Sequence, residues 1–378
     1  MNARNAAACG AAVILIAACG GSSKDAPQSS GPAVRYAGST QDAALTSTTD
    51  KNALVSSAAA MAQGIGGAVG GLGSAGTGLS RALRIAAPRP AAPIRAALLQ
   101  AQDAFSRRGL AQAPGAVVSL AATCDGGGSM AVVASQAVKG QSTAGDYVAA
   151  SFSSCTDVDG NVQYGSFRMT IAQTTGDEFV ADAASITKNE DFGLALVFHD
   201  FASKAVDGPW SGVDGNLDIS FVATVESVGG AGSLEFQISG ASLVGASGPA
   251  LGKVTQAFKL APLLGQPSFH ELGRELYTGM GTGAAAVAED QWDLDAHACS
   301  LEFLGCLNVL TDPTFAKHAS AGYPYAGALE VYDAAGDYVR VTAVDETTGA
   351  ATLDWSIDGV SSTVQTTWGC LDGTASCP

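Results

Sequence analysis

From about Ala116 onward, apolar and polar residues alternate with a period of two. Leu217, Ile219, Phe221, Ala223 and Val225 interleave with Asp218, Ser220, Val222, Thr224 and Glu226. Leu234, Phe236 and Ile238 interleave with Glu235, Gln237 and Ser239, and Leu353, Trp355 and Ile357 with Asp354, Ser356 and Asp358. Such alternation marks strands with one buried face, hence antiparallel sheet rather than parallel crossover units. The punctuation agrees: Asp159-Gly160-Asn161, Asp214-Gly215-Asn216, Gly336-Asp337 and Asp358-Gly359 are tight-turn pairs between such runs. The pattern predicts a mainly β protein, with about a dozen or more strands between 116 and 368. The last four, near 327–333, 337–344, 350–357 and 361–368, read as a meander. Only Pro267 to Tyr277 has the look of a short helix within this region. So many half-polar strands must curl to bury their apolar side, as a large curved sheet or an open barrel. A transmembrane barrel would turn the apolar face outward between aromatic girdles, and aromatic residues make up only 7% of the chain.

Ahead of residue 116 the period is closer to 3.6. Asn52-Ala53-Leu54-Val55 and the alanine run that follows predict a helix within 46–65, capped by Asp50 or a nearby threonine. Residues 64–78 are glycine-rich and uncharged, and contain Gly71-Leu72-Gly73-Ser74-Ala75-Gly76. That spacing would mark a dinucleotide loop only between a buried strand and a helix, with an acid about 20 residues further on. None of these is present, so the segment reads as a linker. A second helix begins at Pro93, with Ile94, Leu98, Ala101 and Phe105 on one face and Arg107, Arg108 and Gly109 at its end. Arg81, Arg84, Arg89 and Arg95 precede or begin it. They suit a solvated face that pairs with the acidic domain of the same chain, or contact with anionic lipid headgroups next to the anchor.

The start of the chain carries a different pattern. One positive charge at Arg4 precedes an uncharged apolar run from Ala6 to Ala18, the layout of a secretory signal. The run is too short for a spanning helix, which needs about 20 apolar residues. It closes on Ile16-Ala17-Ala18-Cys19 and continues as Gly20-Gly21-Ser22-Ser23. This resembles the lipobox of bacterial lipoproteins, in which the cysteine is acylated and becomes the mature N-terminus. The resemblance implies lipidation of Cys19. Gly20 after it implies sorting to the outer membrane. The expected organisation is a signal peptide over 1–18, a lipidated cysteine and flexible tether over 19–45, a helical and glycine-rich segment over 46–115, and an antiparallel β domain over 116–378.

Charge narrows the partners. Of the chain's 378 residues, 14% are charged, against 47% hydrophobic, a balance that excludes a largely disordered protein. The formal net charge of −16 is uneven: residues 109–378 hold nine Lys/Arg and 31 Asp/Glu, whereas residues 19–108 carry an excess of five positive charges. A domain this acidic repels nucleic acid, whose binding rests on neutralising phosphates. Beyond Cys19, six cysteines remain downstream. In an exported chain an even set reads as disulfides, and proximity pairs Cys124 with Cys155, Cys299 with Cys306 and Cys370 with Cys377. His297, two residues before Cys299, raises a zinc site as the rival, disfavoured because thiolates rarely persist in an oxidising compartment.

Candidates for chemistry are few. No G-x-S-x-G elbow occurs, and His199, His270, His297 and His318 lie far apart in no metal motif. On a strand, Asp293, Asp295 and His297 would project from one face, opposite Trp292 and Leu294. They are the candidate cation ligands, and the plainer reading is the wet face of an amphipathic strand. Asp157, Asp159 and Asn161 open like a calcium loop, but Arg168 stands where its bidentate acid belongs, so a hairpin turn explains them better.

Several short motifs recur together: the lipobox, Asp50-Lys51-Asn52-Ala53-Leu54, Ser151-Phe152-Ser153-Ser154-Cys155 and Pro324-Tyr325-Ala326-Gly327-Ala328-Leu329. With them come Val339-Arg340-Val341-Thr342-Ala343 and Thr366-Thr367-Trp368. In these the chain resembles a family of β-rich outer-membrane lipoproteins of proteobacteria. The resemblance covers most of the chain and implies a fold and a location without a mechanism. The expectation is a lipid-anchored envelope protein that is not an enzyme and needs no cofactor. It would hold an apolar ligand in its curved sheet, or else serve as a structural or surface interaction protein. A hydrolase whose site forms only in three dimensions is the remote alternative.

Overall fold

Residues that alternate in polarity extend because only a strand sends successive side chains to opposite sides. The computed structural model describes residues 33–59, 116–138, 143–174, 186–204, 206–250, 253–301, 303 and 305–371. The leader with Cys19, most of the tether, the glycine-rich stretch, the helix expected from Pro93 and Cys377 lie outside them. Among the described residues are two helices, α1 (51–59) and α2 (Trp368–Leu371), and sixteen strands. The first seven strands are β1 (Ala116–Thr123), β2 (Ser129–Gln136), β3 (Tyr147–Thr156), β4 (Val162–Thr174), β5 (Glu190–Lys204), β6 (Trp210–Val225) and β7 (Ala231–Gly248). Next come β8 (Gln256–Ala261), β9 (Phe269–Thr278), β10 (Ala286–Ser300), β11 (Gly305–Thr311) and β12 (Phe315–His318). The last four are β13 (Ala328–Tyr332), β14 (Tyr338–Asp345), β15 (Ala350–Ile357) and β16 (Val360–Thr367), which form the expected meander.

All sixteen belong to one antiparallel sheet. Its order follows the chain except at two places. β8 and β9 both lie between β7 and β10, so together they form one interrupted strand. The excursion between them, 262–268, carries Leu264 fully into solvent. β11 and β12 likewise share the other side of β10. The stretch Pro267–Tyr277, expected as a short helix, is instead the body of β9. Its buried side chains fall at every second position from Phe269 to Tyr277, a period of two that no helix presents.

One apolar face runs through the sheet from β2 to β15 and holds the core. Met130 on β2, Phe167 on β4, Ile219 on β6, Leu294 on β10 and Leu353 on β15 belong to a single buried cluster. Helix α1 adds Leu54, Val55 and Ala58 to it. Asp50 caps this helix, its Oδ1 accepting the Ala53 amide hydrogen at 3.1 Å. The segment before α1 lies on the opposite face first. Val34 packs among Ala202, Trp210, Ala246 and Ala257, seated where a Cβ on Gly212 would approach it to 2.6 Å. Further along, the Ala43 amide donates to the Cys306 carbonyl (2.8 Å) and the Leu45 amide to Asp333 Oδ2 (2.9 Å). From there Leu45 joins the inner core.

Candidate functional site

β9 and β10 carry most of the sheet's unusual polar groups, and strand alternation divides them between two faces. On the outer face stand Asp293 and Asp295, as the sequence predicts, with Leu294 buried opposite. His270, in register with Asp295, brings Nε2 to 4.0 Å from Asp293 Oδ1. Thr314 Oγ1 donates to Asp293 Oδ2 at 3.3 Å, and the Thr311 amide to Asp295 Oδ1 at 3.2 Å. Burial is the main reason both carboxyls lie above their ordinary range, with His270 pulling each back down. His297 shares this face but engages elsewhere: Nδ1 is 3.0 Å from Asn308 Oδ1 and Nε2 is 3.4 Å from Asp42 Oδ1. The three candidate ligands therefore share a face without converging on one point.

His297 does lie beside sulfur. Its ring nitrogen and the sulfurs of Cys299 and Cys306 all fall within 4.8 Å of one another. Those two cysteines face each other across β10 and β11 and are joined as a disulfide. A disulfide offers no thiolate, so in this state the group is a covalent strand clamp with a histidine alongside. Cys124 and Cys155 are also bonded. Cys370 is disulfide-bonded too, and its expected partner Cys377 lies outside the described residues. The Asp157–Asn161 stretch is a turn, in which Asp157 Oδ1 accepts the amides of Asp159 and Asn161, each at 2.9 Å.

The inner face of the same two strands is more unusual. Residues paired directly across antiparallel strands point the same way. Pairing places Phe192 (β5), Phe221 (β6), Phe236 (β7), Gly273 (β9), Trp292 (β10) and Phe315 (β12) side by side in one row across the sheet. Phe221 and Phe236 pack at 5.3 Å between ring centroids, and Trp292 stacks on Phe315 at 5.4 Å. Gly273 leaves the row without a side chain at its centre. Along β9, Glu271 and Glu275 stand on either side of that glycine, 3% and 8% exposed. Asp290 lies opposite Glu275, and Lys317 opposite Asp290 with Nζ at 3.9 Å from Oδ2.

Four ionisable groups of β9, β10 and β12 thus sit on the inner face beside the apolar core. The Tyr277 hydroxyl donates to Glu275 Oε2. Glu275 Oε1 and Asp290 Oδ1, both buried, have no hydrogen-bond donor. Burial raises the Glu275 carboxyl, the Tyr277 hydrogen bond opposes that, and nearby Asp290 adds to it. Burial also raises Asp290, against the attraction of Lys317. Comparison with protein-family models, curated proteins and solved structures finds no match for this chain.

The inner cluster is hidden from the hydrophobic pattern, while the outer one is not. Asp293, Asp295 and His297 stand out because they alternate with Trp292 and Leu294. Glu271, Gly273 and Glu275 occupy the positions where the pattern demands apolar residues, with Leu272 and Leu276 on the outer side. The strict spacing Phe269, Glu271, Gly273, Glu275, Tyr277 was the available signal.

Proposed function

We propose that this chain is a lipid-anchored cell-envelope protein whose curved sheet binds a small, largely apolar ligand on its inner face. The observation that carries the reading is the aromatic row broken at Gly273. A face built for packing alone fills such a position, because interiors are close-packed. Here Phe236 and Trp292 flank a residue with no side chain, and both rings, like Phe221, remain partly accessible. Aromatic walls with a few convergent polar groups are the usual make-up of a small-molecule site. The anchor rests on the Arg4-to-Cys19 pattern, and the outer membrane on Gly20. A purely structural role and a hydrolase have no comparable observation behind them. Among the described residues the tightest histidine–acid pair, His318 with Glu346 at 2.8 Å, is stacked on Tyr325, a phenol and no activated serine.

One experiment addresses both halves. The full chain fractionates with membranes, and Cys19→Ser releases it. The released chain takes up N-phenyl-1-naphthylamine, a neutral apolar fluorophore, saturably and with quenching of tryptophan emission, and Gly273→Leu weakens that uptake about tenfold. Uptake no greater than that of the urea-unfolded chain would remove the binding role. A Cys19→Ser chain that stays with the membrane would remove the anchor.

A further inference from the structure

We infer that the ligand carries a protonated amine, received by Glu275 and Asp290 beside the aromatic row. The inference rests on the binding role just proposed and adds the chemistry of the ligand's polar end. Among the described residues, two carboxyl groups, Glu275 and Asp290, meet on the inner face at this point with one ammonium, that of Lys317. Lys317 lies against Asp290 Oδ2, leaving Oδ1 of the same carboxyl without a donor. Tyr277 occupies Glu275 Oε2, leaving Oε1 without one. Glu275 is more than nine-tenths buried, and it faces Asp290 directly across the β9–β10 ladder.

A buried acceptor with no donor is unfavourable, and buried acids are almost always paired. What the pair lacks is hydrogen-bond donors and positive charge together. A primary ammonium supplies both, with three N–H donors on one small cation. An alcohol supplies one donor and no charge, a carboxylate adds repulsion, and a quaternary ammonium has charge without an N–H. A bare metal ion fits less well, because Lys317 stands within 3.9 Å of one of the oxygens it would need. Gly273 lies two residues from Glu275 along the same face, so a ligand amine at Glu275 places its apolar body between Phe236 and Trp292. Those rings also favour a nearby cation.

The test uses the full chain with Cys19→Ser, so that no acyl group competes, and measures calorimetric binding of four eight-carbon probes. These are octylammonium, octanol, octyltrimethylammonium and octanoate. Octylammonium is expected to bind at least tenfold tighter than the other three. Glu275→Gln combined with Asp290→Asn removes that preference while octanol still binds, which also shows that the variant remains folded. Equal affinity for all four probes would overturn the amine inference and leave the binding role standing. A preference that survives the double substitution would overturn it in the same way. Failure of every probe, with no uptake of the neutral naphthylamine, would remove the binding role and this inference with it.

Discussion

Two groups of aromatic side chains lie on the same inner face of this sheet and are put to different uses. Phe152, Phe167, Phe198 and Phe201, from β3 to β5, pack ring against ring at 5.7–6.3 Å, and all are buried. The row from Phe192 to Phe315 is similar in chemistry, yet most of its rings are partly accessible, a glycine interrupts it and carboxyl groups flank it. Aromatic content alone therefore does not separate a core from a site. The difference lies in what stands beside the rings. Next to the first group the neighbours on the inner face are apolar and buried. Next to the second are acids whose burial is unfavourable and which packing alone does not explain.

The sharpest way to break this comparison is to truncate one ring from each group. Phe167→Ala, at a fully buried position, is expected to cost about 3–5 kcal/mol in urea unfolding, without altering probe uptake by the folded chain. Trp292→Ala should cost less than half as much and abolish uptake. Equal stability costs with uptake retained in both would erase the distinction.

The disulfides offer a second, somewhat smaller contrast. Cys124–Cys155 clamps the β3 side across 31 residues, and Cys299–Cys306 clamps β10 to β11 across seven. Loop-entropy arguments put the loss at about 4 kcal/mol for the first and about 2 kcal/mol for the second when each pair is replaced by alanine. Thermal unfolding of the two variants gives the order, and a reversed order would mean that the β10–β11 clamp supports more of the fold than its own hairpin.

The smallest effect is the most specific to the second region. Burial lifts Glu275 and Asp290 above their ordinary values, so the folded chain holds these protons more tightly than the unfolded one. Their contribution to stability is full below the ordinary carboxylate range and declines as pH rises through the raised values. Lys317 and the Tyr277 hydroxyl moderate the decline, and Glu289 beside Asp290 steepens it. Glu275→Gln with Asp290→Asn should flatten the fall in urea midpoint between acidic and neutral pH, leaving the part owed to Asp293 and Asp295. An unchanged slope would show that the inner acids are not what titrates.

Much of the fold was legible because polar residues alternate with apolar ones on most of the long strands. Leu217 to Val225, Leu234 to Ile238 and Leu353 to Ile357 announce their strands, and Asp50 announces the start of α1. The split of one sheet position between β8 and β9 was not legible, since strands of 6 and 10 residues acting as one are distinguishable only by their shared partners. β9 itself was obscured for the reason that makes it interesting. Its inner positions are Glu271, Gly273 and Glu275, and a hydrophobic pattern is read from apolar residues.

The strand period, the antiparallel ladder, the cap of α1 and the nearest-neighbour pairing of Cys124 with Cys155 and Cys299 with Cys306 can all be read from the order of residues. These are local properties, set by alternation, turn chemistry and chain proximity. That Phe236, Gly273, Trp292 and Phe315 form one row, and that Glu275, Asp290 and Lys317 meet beside it, emerges from the folded sheet. Those residues are brought together by the register of hydrogen bonds between strands, which a shift of one residue would turn to the opposite face.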